Sequence, residues 1–367
     1  MGHSEQRAQG SAGDEIPATK SDALRVVAIG GGTGLSTLLK GLKRYVAAPG
    51  ERSSAKTAEP AISDLSAVVT VSDDGGSSGR LRKELNMLPP GDIRSCIVAL
   101  SEDEALLSQL FQHRFVKGSG LEGHSFGNLF LAALTSITKD FSEAVRLSSE
   151  ILVTRGHIYP ATTSNVELEA VMEDGTRVRG ETKITASKGR IKELFLIPHD
   201  VEPLPQTLAA IARADLITIG PGSLFTSLIP NLLVHGIAKA IASSSATKVY
   251  VCNLMTQANE SLGRTAADHI RALNEHAQAQ IFDYALLNRA SISTQLKAKY
   301  ALEGAAQVVI DDAAIEELGV CPVLGDYLDE GEVARHATDR IARDLMELGV
   351  QARSNERSGA KRHTTST

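Results

Sequence analysis

The sequence predicts an α/β protein built on a doubly wound, mostly parallel sheet that carries a helical insert and a small antiparallel β subdomain. Three observations lead there. Short apolar, β-branched runs alternate with helical spacing, one long stretch has helical periodicity only, and one stretch alternates with period two around a turn dipeptide. Continuous apolar runs of about five residues suit strands covered on both faces, as a parallel sheet requires.

In chain order, residues 1–23 are rich in Gly, Ser, Ala and charge, without apolar periodicity, and are expected to be a disordered tail. A single α/β domain is expected over 24–349. LRVVAIG (24–30) reads as its first strand and TGLSTLLKGLKRYV as the helix after it. Residues 49–63 (PGERSSAKTAEPAIS) form a polar, Pro-containing surface insertion before the second strand, LSAVVTVS (65–72). Residues 91–151 are helical throughout. Residues 164–197 alternate around Asp174-Gly175, a two-residue hairpin signal, and close with the strand IKELFLIP. Further strands are ADLITIG (214–220), KVYVCN (248–253), IFDYALLN (281–288) and AAQVVID (305–311), with helices in LFTSLIPNLLVHGIAKAIA and TAADHIRALNEHA. Residues 350–367, locally basic through Arg353, Arg357, Lys361 and Arg362, read as a second disordered tail.

Composition narrows the classes. The chain has 367 residues, 42% of them hydrophobic and 22% charged, which excludes a wholly disordered chain, a fibrous repeat and a bare membrane anchor. The formal charge of −6 offers no global cationic field, so neither a nucleic acid nor an anionic membrane surface is an expected partner. Cys96, Cys252 and Cys321 lie far apart with no CxxC spacing, as in a reducing compartment. With no signal-peptide core and no run of 18 apolar residues, the expectation is a cytoplasmic protein without membrane insertion. Apolar helices within 91–151 and 221–245 suit either core burial or a homo-oligomer interface.

Candidate chemistry gathers at strand ends. The first strand runs into a turn with Gly30, Gly31, Gly32, Thr33 and Gly34, where missing Cβ atoms let backbone N–H groups and a helix N-terminus approach a phosphate. It is not GxGxxG, because Leu35 stands at the last required position, and it lacks a Walker ending. A nicotinamide oxidoreductase is therefore disfavoured. After the second strand come Asp73 and Asp74, a carboxylate pair suited to Mg²⁺ or a ribose, then Arg80. LPPGDIRSC sets Asp92 and Arg94 at a helix start, and GHSFGNL supplies His124 and Asn128 as candidate phosphate and base or ribose contacts. A second glycine turn with Gly220, Gly222 and Ser223 is expected to flank the same diphosphate, and Asn253, Thr256 and Gln257 to add polar contacts. Ser223 is no nucleophile elbow, since GxSxG is absent.

AIGGGTGL (28–35), VSDDGGSSGRLR (71–82), PPGDIRSC (89–96), HSFGNL (124–129), GPGSLFTS (220–227) and CNLMTQ (252–257) together resemble the bacterial gluconeogenesis factor family, a relative of 2-phospho-L-lactate transferase. The resemblance spans roughly residues 24–345 and implies a Rossmann-like core with a nucleotide crevice. It implies two functions: UDP-sugar binding with a role in cell shape and envelope synthesis on gluconeogenic carbon sources, or Mg²⁺-dependent transfer of phospholactate from a guanosine diphosphate donor to a deazaflavin alcohol. By motif, Asp73 and Asp74 match the transferase's metal region, and Gly31, Gly32, Asn128, Gly222 and Ser223 its nucleotide-facing turns. Where the family continues MTQ with PGET, this chain has Ala258, Asn259, Glu260 and Ser261. The chain has no Trp and only 4% aromatic residues, a poor supply for stacking a flat deazaflavin.

Overall fold

The computed structural model describes residues 23–47, 61–102, 106–187, 189–258 and 260–363. The expected tail at 1–23 lies outside these residues except for Ala23. The same holds for most of the 49–63 insertion, whose last two residues, Ile62 and Ser63, begin a strand.

From the N-terminus, β1 (Leu24–Gly30) leads into α1 (Gly32–Leu42), and β2 (Ile62–Val69) into α2 (Gly76–Leu85). The helices α3 (Gly91–Leu100), α4 (Leu106–Gln112), α5 (Phe126–Thr138) and α6 (Phe141–Ile151) follow, then β3 (His157–Pro160). An antiparallel unit holds β4 (Glu167–Met172), β5 (Arg177–Arg179), α7 (Glu181–Ala186) and β6 (Ile191–Ile197). Next come α8 (Pro205–Arg213), β7 (Leu216–Ile219), α9 (Ile229–Leu232), α10 (Ile237–Ser243), β8 (Thr247–Val251), α11 (Ala266–Ala277) and β9 (Tyr284–Asn288). The chain closes with α12 (Thr294–Ala301), α13 (Asp312–Glu317), β10 (Cys321–Gly325), β11 (Leu328–Glu330), β12 (Ala334–His336) and α14 (Thr338–His363).

Seven strands make one sheet in the order β10-β9-β8-β7-β1-β2-β3, and every pairing is parallel. All four residues of β7 and six of the seven of β1 are buried, the signature of strands covered on both faces. In the antiparallel unit Leu168, Ala170 and Met172 point inward and alternate with Glu167, Glu169 and Val171, and Leu168 pairs with Leu196. A satellite cluster of Leu254, Met255, Ile292 and Leu296, with Tyr300 and Ala334 against it, stands apart from the main core. Among the described residues, no single helix is long and apolar enough to cross a membrane.

Three expectations fail. AAQVVID (305–311) is not a strand: Thr256 N–H donates to Ala306 O at 2.7 Å and Val308 N–H to Leu254 O at 3.0 Å, so the segment braces the loop after β8 instead of joining the sheet. The sheet's edges belong to β3 and β10, whose short, partly exposed sequences HIYP and CPVLG carry a weak apolar signal. The single helix expected after β7 is broken. Leu224–Leu228 forms a π turn, Pro230 lacks an N–H donor, and Gly236 adopts a left-handed conformation before α10. Finally, the expected tail at 350–367 is helical as far as His363, because α14 seats Ile341, Ala342, Leu345 and Met346 in the core and Arg353 donates to Ala23 O at 2.9 Å.

Candidate functional site

Chain order reverses between β1 and β7: β2 and β3 continue on one side, β8, β9 and β10 on the other. Such a switch point opens a crevice at the carboxyl ends of the strands. A cleft of about 540 Å³ lies there, lined by the turn Gly31–Gly34 after β1, by Pro221, Gly222, Ser223 and Ser227 after β7, and by Asn253–Ala258 after β8. Tyr300, Ala334 and His336 form the outer wall.

The two glycine turns touch. A Cβ on Gly34 would stand 2.2 Å from Pro221 O and 3.0 Å from Gly222 Cα, so only a bare Cα permits this approach. Asn253 locks the second turn from the far side: its Oδ1 accepts from Gly222 N–H at 3.1 Å and its Nδ2 donates to Gly222 O at 2.8 Å. In α1 the first intrahelical bond runs from Leu35 N–H to Gly31 O at 3.4 Å, so the N–H groups before it point outward from the helix start. Gly32 N–H is held by the Asp92 carboxylate.

Just beyond the second turn, the carboxylate of Glu260 accepts from Phe225 N–H at 2.7 Å and Thr226 N–H at 2.9 Å, capping the start of the π turn. Burial pushes this carboxyl above its ordinary range while the two N–H bonds pull it down. Nearby, Gln257 Nε2 donates to Ser223 Oγ at 2.8 Å, and the buried Gln257 Oε1 on the cleft wall has no partner in the protein.

Behind the α1 turn lies a carboxyl cluster. Asp73 accepts from Gly75 N–H at 2.8 Å and shares a hydrogen bond with Glu181, the first residue of α7. Burial, then Asp73, Asp92 and Asp74, push Glu181 up to about 8, and burial with Asp73 pushes Asp92 up to about 6. Asp74 does something different: its Oδ1 accepts from the N–H and hydroxyl of Thr182 at 2.9 and 2.5 Å, docking the antiparallel unit onto the sheet. The two adjacent aspartates thus have separate tasks. Among the described residues no group of three or more His, Cys, Asp or Glu side chains is arranged to hold a metal ion by itself. An all-oxygen pair, Asp73 with Asp92 or Glu181, nevertheless fits Mg²⁺, which takes one or two carboxylates and completes its shell with ligand phosphates and water.

His124 and Asn128 belong to a third group. His124 Nδ1 and Ser77 Oγ are 2.9 Å apart, and Asn128 Nδ2 donates to the same hydroxyl at 3.1 Å. Burial and the guanidinium groups of Arg80 and Arg114 lower the His124 pKa. Of the predicted residues, Gly31, Gly32, Thr33, Gly34, Gly222, Ser223 and Asn253 line the cleft; Asp73, Asp74, Arg80, Arg94, His124 and Asn128 do not. Asn128 on α5 is tied to Ser77 on α2. Sequence reasoning missed Tyr300 and His336, and the capping role of Glu260. Only Glu260 left a signal, as the acid kept in a divergent loop.

Fold and site define a doubly wound α/β protein with two touching glycine turns at its switch point and a carboxyl cluster behind the first. The description "2-phospho-L-lactate transferase CofD" matches residues 26–328, and the chain belongs to that family. It is similar to the gluconeogenesis factor of Halalkalibacterium halodurans, 48% identical over 88% of this chain and 95% of that protein, and to that of Bacillus subtilis, 47% identical over 88% and 98%. A crystal structure of a Bacillus halodurans protein of the UPF0052 family superposes with a TM-score of 0.82 at 47% identity, covering 89% of this chain and 99% of that one.

Proposed function

We propose that this chain binds a nucleoside diphosphate sugar, a UDP-sugar first among them, and acts as a cytoplasmic regulatory factor for cell shape and envelope synthesis during growth on gluconeogenic carbon. The observation that carries the binding is the cleft at the β1/β7 switch point, with its glycine turn and helix start. One phosphate sits on the Thr33 and Gly34 N–H groups at the start of α1. Gln257 Oε1 accepts an N–H or O–H from base or sugar, and Leu254, Met255 and Tyr300 give that moiety an apolar wall. The regulatory role extends the name of the relatives, gluconeogenesis factor. Calorimetry with UDP-glucose and UDP-N-acetylglucosamine tests the reading. Saturable heat that falls about tenfold in affinity in Gln257→Ala supports it; no heat at millimolar ligand sinks it.

A second reading, a Mg²⁺-dependent transferase of the 2-phospho-L-lactate type, is favoured by one observation, the gathering of the Asp73, Asp92 and Glu181 carboxyls behind the α1 turn. Bound Mg²⁺ would neutralise charge on the donor's phosphates. Asp73 would hold the ion, and Asp92 would keep the α1 turn aligned through Gly32 N–H. Product formed from a guanosine diphosphate donor and a deazaflavin alcohol, lost in Asp73→Asn, would restore this reading.

A further inference from the structure

Three guanidinium groups gather beyond the carboxyl cluster without a carboxylate of their own. Arg94, in the first turn of α3, is half-buried; its Nη2 donates to Ser95 Oγ at 3.2 Å, and its enclosed Nε has no partner. Arg80, from α2, donates to Glu122 O at 2.5 Å, and Arg114 donates to Gly123 O. Among the described residues none of the three forms an ion pair with a carboxylate. Arg80 and Arg114 thus donate to consecutive carbonyls of one loop, and a Cβ on Gly123 would stand 3.3 Å from Arg80 Nη2; the charge of Arg114 also lowers the Arg94 pKa, after burial.

Leaving the enclosed part of a guanidinium without a contacting counter-charge is costly. The fold nonetheless holds Arg94 in place. A Cβ on Gly127 would stand 2.9 Å from Arg94 Cδ and 2.7 Å from Phe111 O, so the glycine lets α5 clamp the arginine stem. Beside it, Asn128 is 2% exposed and its Oδ1 has no partner. A planar guanidinium fork matches the geometry of a phosphoryl group. The nearest opposing charges, Asp92 and Asp73, lie toward the glycine turn.

We propose that Arg94, with Arg80 and Arg114, forms a second oxyanion subsite for a phosphoryl group, separated from the Gly31–Gly34 turn by Asp92. A phosphorylated second ligand would thereby be held on the opposite side of the carboxyl cluster from the nucleotide cleft. The subsite does not depend on which nucleotide that cleft takes.

Inorganic phosphate is the probe, titrated into the full chain at low salt and followed by ³¹P line broadening, with and without UDP. The expected result is saturable binding that persists with UDP present and weakens at least tenfold in both Arg94→Met and Arg114→Met. Arg114 is exposed, so its variant keeps the fold and decides the matter if Arg94→Met does not fold. Absence of saturable binding, equal affinity in the variants, or displacement of phosphate by UDP would each overturn the proposal. Failure of UDP-sugars to bind, with phosphate binding intact, would instead count against the nucleotide reading alone.

Discussion

The Glu260 carboxylate caps Phe225, accepting its backbone N–H at 2.7 Å, and so ties the loop after β8 to the start of the π turn. The buried N–H groups of Phe225 and Thr226 depend on this one side chain. Glu260→Ala would leave both unpaired and is expected to cost about 3 kcal/mol, and Glu260→Gln, which keeps an acceptor oxygen, about 1 kcal/mol. Urea denaturation reads the difference. An unchanged midpoint in the alanine variant would remove the capping role.

Gly34 sets the distance between the two turns. Because its Cβ position collides with the backbone of Pro221, Gly34→Ala is expected to push the turns apart and to cost about 1–3 kcal/mol, with loss of nucleotide binding. Gly331→Ala serves as the control, since nothing lies within 4 Å of its Cβ position. Equal melting temperatures for the two variants would refute the contact.

His269 makes stability depend on pH. Its Nδ1 is 2.9 Å from Tyr250 Oη, its Nε2 is buried without a partner, and burial, aided by Arg264, pushes it down to about 4. The unfolded chain, with an ordinary histidine near 6.5, binds more protons between these values, so this residue's contribution is complete above about 6.5 and is lost as pH falls toward 4. The loss is at most about 3 kcal/mol by linkage. His269→Gln should flatten this part of the profile; a variant profile parallel to that of the parent would contradict it.

Asp92→Asn keeps an acceptor for Gly32 N–H while removing one charge of the carboxyl cluster. If Mg²⁺ is held there, the gain in nucleotide affinity on adding Mg²⁺ should shrink about tenfold, with affinity in its absence unchanged or improved, because a buried negative charge no longer faces the phosphates. Calorimetry with and without the ion measures both. An undiminished Mg²⁺ effect would exclude Asp92 from the metal's surroundings.

Much of the site was readable because its parts are local. Gly31–Gly34 and Gly222–Ser223 follow strands whose apolar runs announce them, and a strand, a glycine turn and a helix can be seen in a dozen contiguous residues. Tyr300 and His336 carried no such signal. Tyr300 reaches the cleft through a satellite cluster that ties α12 and the loop after β8 together, and His336 through a hydrogen bond of its Nε2 with Cys252 O at 3.0 Å, both relations between residues tens of positions apart.

By itself, then, the sequence determined the parallel sheet, the first glycine turn and the antiparallel unit, since apolar period and turn residues act over short distances. Tertiary structure alone decided the use of each polar group. Glu260 caps Phe225, Asp74 binds Thr182 and Asn128 holds Ser77, pairings that no local pattern announces. A buried donor or acceptor must find a partner among groups that the fold brings near, and that choice is made in three dimensions.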